Sequence, residues 1–418
     1  MDSKWFPLWV LGAALSGWLL GLYCSDVGWL SSLLSALKTL FLSVLKMIVA
    51  PLIFCSVVSG ILRLRAAANV RRLGLVTLGF YLTTTAIAIG IGLTVVAWIH
   101  PWTAQPPLSG GFNAAPAQLL SAGDGSTSAI VNSLIARLFE NPFSALANLN
   151  ILAIVGNALL IGLAGLLILP KKSIVEDAFS ELTALFYRLA RWAVLLVPIG
   201  VVAIIFEMSR ELDAGLLTQL LSFVGVVIAA TLLHGLVVLP LLAWLLTGRK
   251  PWQLWRAIAS PVLVAFSTSS SAATLPVSLR TAEHRLGVRA SIASFVLPLG
   301  ATINMDGTAL FEGIAAVFLA YLFGIPLGPA ETVVVFVVAM LASVGAPGMP
   351  SGSMSGMQVV LLAVGIPLEA IGLLLLVERP LDTIRTAVNV QGDLIASLVA
   401  ETLMDTSTLP AAHAEEKV

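Results

Sequence analysis

Near the end of the chain, Glu378-Arg379-Pro380-Leu381-Asp382-Thr383-Ile384-Arg385-Thr386-Ala387-Val388-Asn389-Val390-Gln391-Gly392-Asp393 concentrates polar groups in an otherwise apolar stretch. Counted from Asp382, the residues Arg385, Thr386, Asn389 and Asp393 fall at offsets of 3, 4, 7 and 11, which puts them on one face of a helix. That face holds a cation, two carboxylates and an amide. The planar fork of arginine matches a carboxylate with two parallel bonds. Asp382 can accept from an ammonium, and Asn389 can donate to a second carboxylate. Together they fit an acidic α-amino acid. Pairing of Arg385 with Asp382 or Asp393 inside the stripe would satisfy the charges, but it leaves Thr386 and Asn389 on that face unexplained. A second cluster, Gly300-Ala301-Thr302-Ile303-Asn304-Met305-Asp306-Gly307-Thr308, also lies within an apolar run. An ionised Asp306 there is costly unless it is neutralised. The flanking glycines invite local unwinding, and unwound backbone offers carbonyl oxygens. Carbonyls with a carboxylate suit a small alkali cation better than a transition metal. A polar packing motif between helices is the alternative.

The elements that must hold these clusters are those of an integral membrane protein. Of 418 residues, 58% are hydrophobic and 11% charged, and the mean hydropathy is +1.00. Lys plus Arg (22) equals Asp plus Glu (22), so nothing marks a nucleic-acid partner. Cys24 and Cys55 show no metal or disulfide spacing. The first apolar run has no small-residue cleavage site and reads as a span rather than a signal peptide.

A crossing helix needs about 20 apolar residues, and the expected spans are Trp5–Leu22, Leu33–Leu62, Leu73–Trp98, Pro142–Leu169, Phe179–Phe206 and Leu216–Leu246. Arg63, Arg65, Arg71, Arg72, Lys171, Lys172, Arg249, Lys250 and Arg256 fall in alternate loops, which predicts cytoplasmic termini. The Pro, Gly and Ser-rich stretch after residue 100 reads as an external loop. Beyond Arg256 the pattern breaks twice. Ala257–Phe266 and Ala272–Leu279 are short arms around a Ser267–Ser271 tip, and Thr332–Val344 and Met357–Ile366 flank a Gly345–Ser353 tip. Each reads as a re-entrant hairpin whose tip faces an internal cavity. Each is followed by a full-length segment, Ser291–Phe323 and Leu368–Ala400. A hairpin-plus-helix unit used twice is the layout of an inverted repeat with a site near the midplane. Trp5, Trp9, Trp98, Trp102, Trp252 and Trp255 fit an interfacial belt. Lys38, Lys46, Arg188 and Arg191 can snorkel or pair at helix interfaces. Of four histidines, His100 reads as a span end, His234 as a packed polar group, and His284 and His413 as exposed.

These motifs resemble the dicarboxylate/amino acid:cation symporter family, the glutamate transporters and their archaeal aspartate-transporting relatives. The resemblance covers nearly the whole chain. It is carried by Ser269-Ser270-Ser271 with Thr274-Leu275-Pro276, by Asn304-Met305-Asp306-Gly307-Thr308, by the Gly345–Gly352 tip and by the Asp382 to Asp393 stripe. It implies an all-α polytopic fold with eight transmembrane helices and two re-entrant hairpins in inverted repeats. It also implies a sodium-coupled, elevator-type symporter for aspartate or glutamate, and no enzyme. By resemblance, Arg385 clamps the substrate side-chain carboxylate and Asp382 holds its amino group. Thr308, Thr386, Asn389, Ser269, Ser270, Ser271 and the backbone near Met349 complete that site. One sodium position matches Gly300, Asn304, Asn389 and Asp393. Another matches Asp306 and Asn304 with Tyr81, Thr84 and Thr85, and a third matches Thr302, Met305, Ser343, Val344 and Ala346.

The resemblance further implies sodium ions as co-transported cargo with no organic cofactor, a homotrimer in the lipid bilayer of the plasma membrane, and no nucleic-acid partner. The expected division is scaffold at 1–70 and 141–210, transport domain at 71–100 and 211–402, external loop at 101–140 and cytoplasmic tail at 403–418. Two features depart from the family pattern. The extra arginine found in relatives is replaced by Ser269 and Thr383, and Glu312 stands where archaeal relatives have glutamine and animal glutamate transporters a glutamate associated with proton and potassium coupling. Glu312 is therefore a candidate for proton coupling or a glutamate kept neutral in packing. A proton-coupled C4-dicarboxylate carrier, a neutral amino acid transporter of the same family, and a channel or sensor on the same fold are the rival readings.

Overall fold

The computed structural model describes residues 6–24, 26–63, 71–104, 106–107, 139–170, 173–209, 214–345 and 353–404. Among these residues the chain is helical, without strands. The first half runs α1 (Phe6–Cys24), α2 (Gly28–Arg63), α3 (Arg71–Trp98), α4 (Pro142–Ala147), α5 (Ile151–Ile168), α6 (Ile174–Leu195) and α7 (Val197–Met208). The second half runs α8 (Ala214–Leu233), α9 (Leu239–Thr247), α10 (Pro251–Thr268), α11 (Ser271–Thr281), α12 (Ala290–Ile303), α13 (Asp306–Leu322), α14 (Pro329–Gly345), α15 (Ser353–Ala363) and α16 (Ile371–Leu403).

Two expected spans are each two helices. Pro142–Leu169 divides at Leu149, whose φ of 54° lies in the left-handed region. Asparagines cap both sides: Asn141 Oδ1 accepts from the amides of Phe143 and Ser144, and Asn150 Oδ1 accepts from that of Ala153. Glu140 ties the junction together by accepting from Ser144 and Asn150, and these bonds hold its carboxyl below the ordinary glutamate range. Phe179–Phe206 divides at Leu196 because Pro198, in the first turn of α7, has no N–H to continue the ladder. The helix also begins earlier than expected, at Ile174, where Glu176 and Asp177 complement the positive end of the helix dipole. Leu216–Leu246 holds as one rod, but a π turn at His234–Val238 joins α8 to α9.

Among the described residues, four helical stretches are long and apolar enough to cross a membrane by length and composition: Gly28–Leu62, Arg72–Ala104, Gly215–Thr247 and Ala290–Leu322. At 36 residues, α2 is about 54 Å long and must tilt to fit a 30 Å hydrocarbon layer. Trp9, Trp98, Leu167, Ile174 and Trp252 stand exposed on the outer surface, an apolar cover that calls for a lipid surrounding. Trp102 does not join such a belt. It is buried, edge-on to Phe318 at 5.3 Å, with its carbonyl accepting from Gln219. Lys38 of α2 pairs with Glu207 of α7.

Packing sorts the helices by partner. α2 packs against α5, α6 and α7, and α1 lies along α7. α16 lies among α3, α8, α9, α10, α12 and α13, so its polar stripe is enclosed by helices. Nearly every residue of α16 from Leu381 to Ala400 is buried.

Candidate functional site

The serine tip is a helix-to-helix turn. Ser269 ends α10 in the left-handed conformation at φ 49° and ψ 36°. Ser270 caps α11, its Oγ accepting from the Ala273 amide at 3.2 Å, while Thr274 donates back to the Ser270 carbonyl at 2.8 Å. Ser269, Ser270 and Ser271 are all buried, and Ser269 Oγ has no hydrogen-bond partner among the described residues. The chain thus reverses in two residues, with polar groups left at the turn.

The Asn304–Thr308 segment breaks a long apolar run in the same economical way. Asn304 (φ −96°, ψ 94°) and Met305 (φ −124°, ψ 51°) leave helical geometry, and α13 restarts at Asp306. The unwinding falls on these two residues and not on the glycines, which lie inside helices. Gly300 serves close approach instead. A Cβ there would meet Asp393 Oδ1 at 2.3 Å and Tyr81 Oη at 2.5 Å, so only glycine lets α3, α12 and α16 converge.

Around this break the structure gathers most of the expected oxygen donors. Asp306 is 0% exposed. Its Oδ1 accepts from Thr85 Oγ1 at 2.7 Å and Thr84 Oγ1 at 3.2 Å, and His234 Nε2 faces its Oδ2 at 3.1 Å. Tyr81 donates to the Val296 carbonyl at 2.9 Å. Asn304 Nδ2 donates to Asp393 Oδ1 at 2.9 Å and reaches the Asn389 carbonyl at 3.5 Å, leaving Asn304 Oδ1 without a partner among the described residues. Asn389 bridges two helices: its Oδ1 accepts from the Gly307 amide at 2.8 Å, and its Nδ2 donates to Thr308 Oγ1 at 3.3 Å and lies 3.6 Å from Met305 Sδ. Thr302 and Ser343 donate to carbonyls of their own helices, Leu299 at 2.9 Å and Met340 at 2.8 Å. Val344 is in the last turn of α14, whereas Ala346 and Met349 lie outside the described residues.

Toward the other end of the stripe stands Arg385, 0% exposed, with its guanidinium 3.9 Å over the Phe311 ring. Its Nη2 meets Ser353 Oγ at 3.1 Å, Glu378 Oε1 at 3.2 Å and Asp382 Oδ1 at 3.3 Å. Its Nε and Nη1 have no partner among the described residues. The pairing of Arg385 with Asp382 is present, while Asp393 takes Asn304 instead. Thr386 is buried one residue away. Glu312, one residue after Phe311, is 0% exposed, and neither carboxylate oxygen has a partner among the described residues. A Cβ on Gly356 of α15 would come within 2.1 Å of Glu312 Oε1, so the absent side chain makes the room this carboxyl occupies.

Sequence reasoning passed over three groups that this geometry brings in. Glu378 is one turn before Asp382 on the same stripe, and extending the count backwards by four would have found it. Ser353 was visible only as the end of a glycine-rich tip. His234, expected as a packed polar group, is packed but against the Asp306 carboxylate. No spacing signals that contact, because the π turn that aims it is set by packing, with Gln391 donating to the Gly235 carbonyl at 2.7 Å.

The chain is similar to known proteins over almost its entire length. A model of the sodium:dicarboxylate symporter family matches residues 6–403. The neutral amino acid transporter B(0) of Mus musculus is 31% identical over 98% of this chain and 82% of its own length. The excitatory amino acid transporter 3 of Mus musculus is 30% identical over 96% of this chain and 86% of its own. The excitatory amino acid transporter 2 of Homo sapiens is 31% identical over 85% of this chain and 70% of its own.

Proposed function

The chain belongs to the sodium:dicarboxylate symporter family, and from that premise we propose that it carries an acidic amino acid, aspartate or glutamate, into the cell together with sodium ions. Membership makes it a multi-pass membrane protein of a sodium-coupled amino acid transporter family. The observation that carries the acidic substrate is Arg385: a fully buried guanidinium with Nε and Nη1 donors left over, beside Asp382. Buried donors of this kind are expensive unless a ligand oxygen completes them. The substrate carboxylate meets Arg385, and its ammonium meets Asp382, with Thr308, Thr386, Asn389 and the Ser269–Ser271 tip around it. Sodium is cargo at the Asp306, Asn304, Asp393 and Tyr81, Thr84, Thr85 cluster, where the leftover Asn304 Oδ1 and the carbonyls of the break supply further oxygens.

The helical pair α10–α11 and the pair α14–α15 are the two re-entrant hairpins, giving eight spans in all, with both termini cytoplasmic. The α14–α15 hairpin closes over substrate and sodium, so that each ligand strengthens binding of the other. The domain split is scaffold 1–70 and 141–210 and transport domain 71–100 and 211–402, in an elevator-type homotrimer in the plasma membrane. The packing of α5, α6 and α7 on α2 and the enclosure of α16 support that split. Glu312, buried beside the returning hairpin arm with no hydrogen-bond partner among the described residues, is the proton-coupling group.

A second reading is neutral amino acid transport. It is favoured by the engagement of Arg385 Nη2 with Glu378 and Asp382, which already balance its charge. Proteoliposomes decide between them. Labelled L-aspartate should enter under an inward sodium gradient and be displaced by L-glutamate better than by L-serine. Uptake under a proton gradient in sodium-free buffer would instead make the apparent sodium ligands idle and Glu312 the main coupling group. Glu312→Gln should flatten the pH dependence of uptake, and an unchanged profile removes the proton role.

A further inference from the structure

The arginine of the stripe is also held from the side of the second hairpin. Arg385 Nη2 donates to Ser353 Oγ at 3.1 Å and to Glu378 Oε1 at 3.2 Å, and Ser353 Oγ donates to that same glutamate oxygen at 3.2 Å. The three side chains close a ring that is buried throughout, at 0% exposure for Arg385, 3% for Glu378 and 4% for Ser353. Two of them belong to α16, but Ser353 is the first residue of α15. One turn further along α15, Gly356 makes room for the carboxyl of Glu312. Glu312 adjoins Phe311, whose ring lies under the guanidinium. The plane of Arg385 is therefore set by Phe311, and its rotation within that plane by Ser353 and Glu378. Ser353, Glu378 and Asp382 share the two hydrogens of Nη2, so the donors this arrangement turns toward a carboxylate are Nε and Nη1.

We infer that Ser353, acting with Glu378, is a positioning residue for Arg385 that makes acidic-substrate recognition conditional on the seat of the second hairpin's returning arm. The inference rests on the assignment of Arg385 to the substrate carboxylate. When α15 is seated, the hydroxyl completes the ring and the arginine presents Nε and Nη1 in a fixed orientation. When the arm moves away, Nη2 loses Ser353 and keeps only the two carboxylates of its own helix, which draw the guanidinium along α16 and away from the substrate. Selection of the side-chain carboxylate and closure of the hairpin thus share one hydroxyl.

Sodium-driven uptake in proteoliposomes tests this with Ser353→Ala, Ser353→Thr, Glu378→Gln and Arg385→Ala reconstituted at equal protein. For L-aspartate, Ser353→Ala and Glu378→Gln should each raise KM about tenfold, the scale of a lost bond to a charged group, with maximal rate unchanged. Ser353→Thr, which keeps the hydroxyl, should restore KM. A wild-type KM in Ser353→Ala overturns the inference, as does an equal loss in Ser353→Thr or a fall in maximal rate without a rise in KM, since either would mark a merely structural serine. If Arg385→Ala keeps the wild-type aspartate KM, the underlying assignment of the arginine fails. If Arg385→Ala loses it while Ser353→Ala and Glu378→Gln do not, only the positioning role fails.

Discussion

A guanidinium at 0% exposure must place five N–H donors without help from water. Arg385 places only Nη2 among the described residues, and the remainder define what the site lacks: an anion. Arg385→Cys removes that partner. Truncating one side of a buried charge pair costs about 2–5 kcal/mol, so L-aspartate KM should rise about thirtyfold or more, while L-serine becomes a competing substrate in the same uptake assay. Asp306 argues the cation side. Its two oxygens are shared by Thr84, Thr85 and His234, an arrangement that fixes the carboxylate and leaves its charge for a cation. Asp306→Asn keeps the shape and removes the charge. The sodium concentration for half-maximal uptake should rise about tenfold or more, on the scale of losing a charge-assisted bond, and an unchanged sodium dependence would exclude Asp306 from the ion path.

At the scale of elements, the site is made by helices that stop. Ser269 and Ser270 reverse the chain between α10 and α11, and Asn304 and Met305 interrupt the run that continues as α13. Each break exposes backbone carbonyls and amide ends inside the bundle, where a regular helix would offer only side chains. The break at Leu149 serves a different purpose, turning α4 into α5 under the capping of Asn141 and Asn150. Glu140 holds that turn as an ionised acceptor. Because its folded pKa is depressed, the contribution is fully present above the unfolded glutamate value of about 4.3. It is lost as pH falls through the lower folded value. Amide protection across 141–157, measured relative to the intrinsic exchange rate at each pH, should therefore fall at acid pH in the wild type, and Glu140→Ala should show the lower protection already at neutral pH.

At the scale of the whole molecule, the polar stripe of α16 is affordable only because other helices surround it. Asp382, Arg385, Asn389 and Asp393 on a lipid-facing helix would be prohibitive, but α3, α8, α9, α10, α12 and α13 enclose them. The apolar residues left outside, from Trp9 to Trp252, are exposed, as a lipid surrounding requires. The proposed homotrimer predicts a native mass in gentle detergent of three times the 43.8 kDa chain, by native mass spectrometry. A single-chain mass under conditions that preserve sodium-dependent aspartate binding would remove the trimer.

The membrane class, the long helices and the two polar clusters are legible in residue order alone. Apolar length and the 3.6-residue period are local properties, and both survive folding unchanged in α2, α3 and α16. The grouping of Thr84, Thr85 and Asp306, more than two hundred positions apart, came from the family resemblance and not from periodicity, and the three lie at hydrogen-bond distance. Which partner each polar group takes is set by how the helices come together. The splits at Leu149 and Leu196 and the two-residue break at Asn304 depend on capping and packing that hydropathy does not register. The same holds for Trp102, buried against Phe318, for His234, brought onto Asp306 by a π turn, and for Ser353, which reaches Arg385 across two helices. Periodicity fixes the face a residue occupies; what lies opposite that face is set by how the helices pack, and in this protein the chemistry lies between helices.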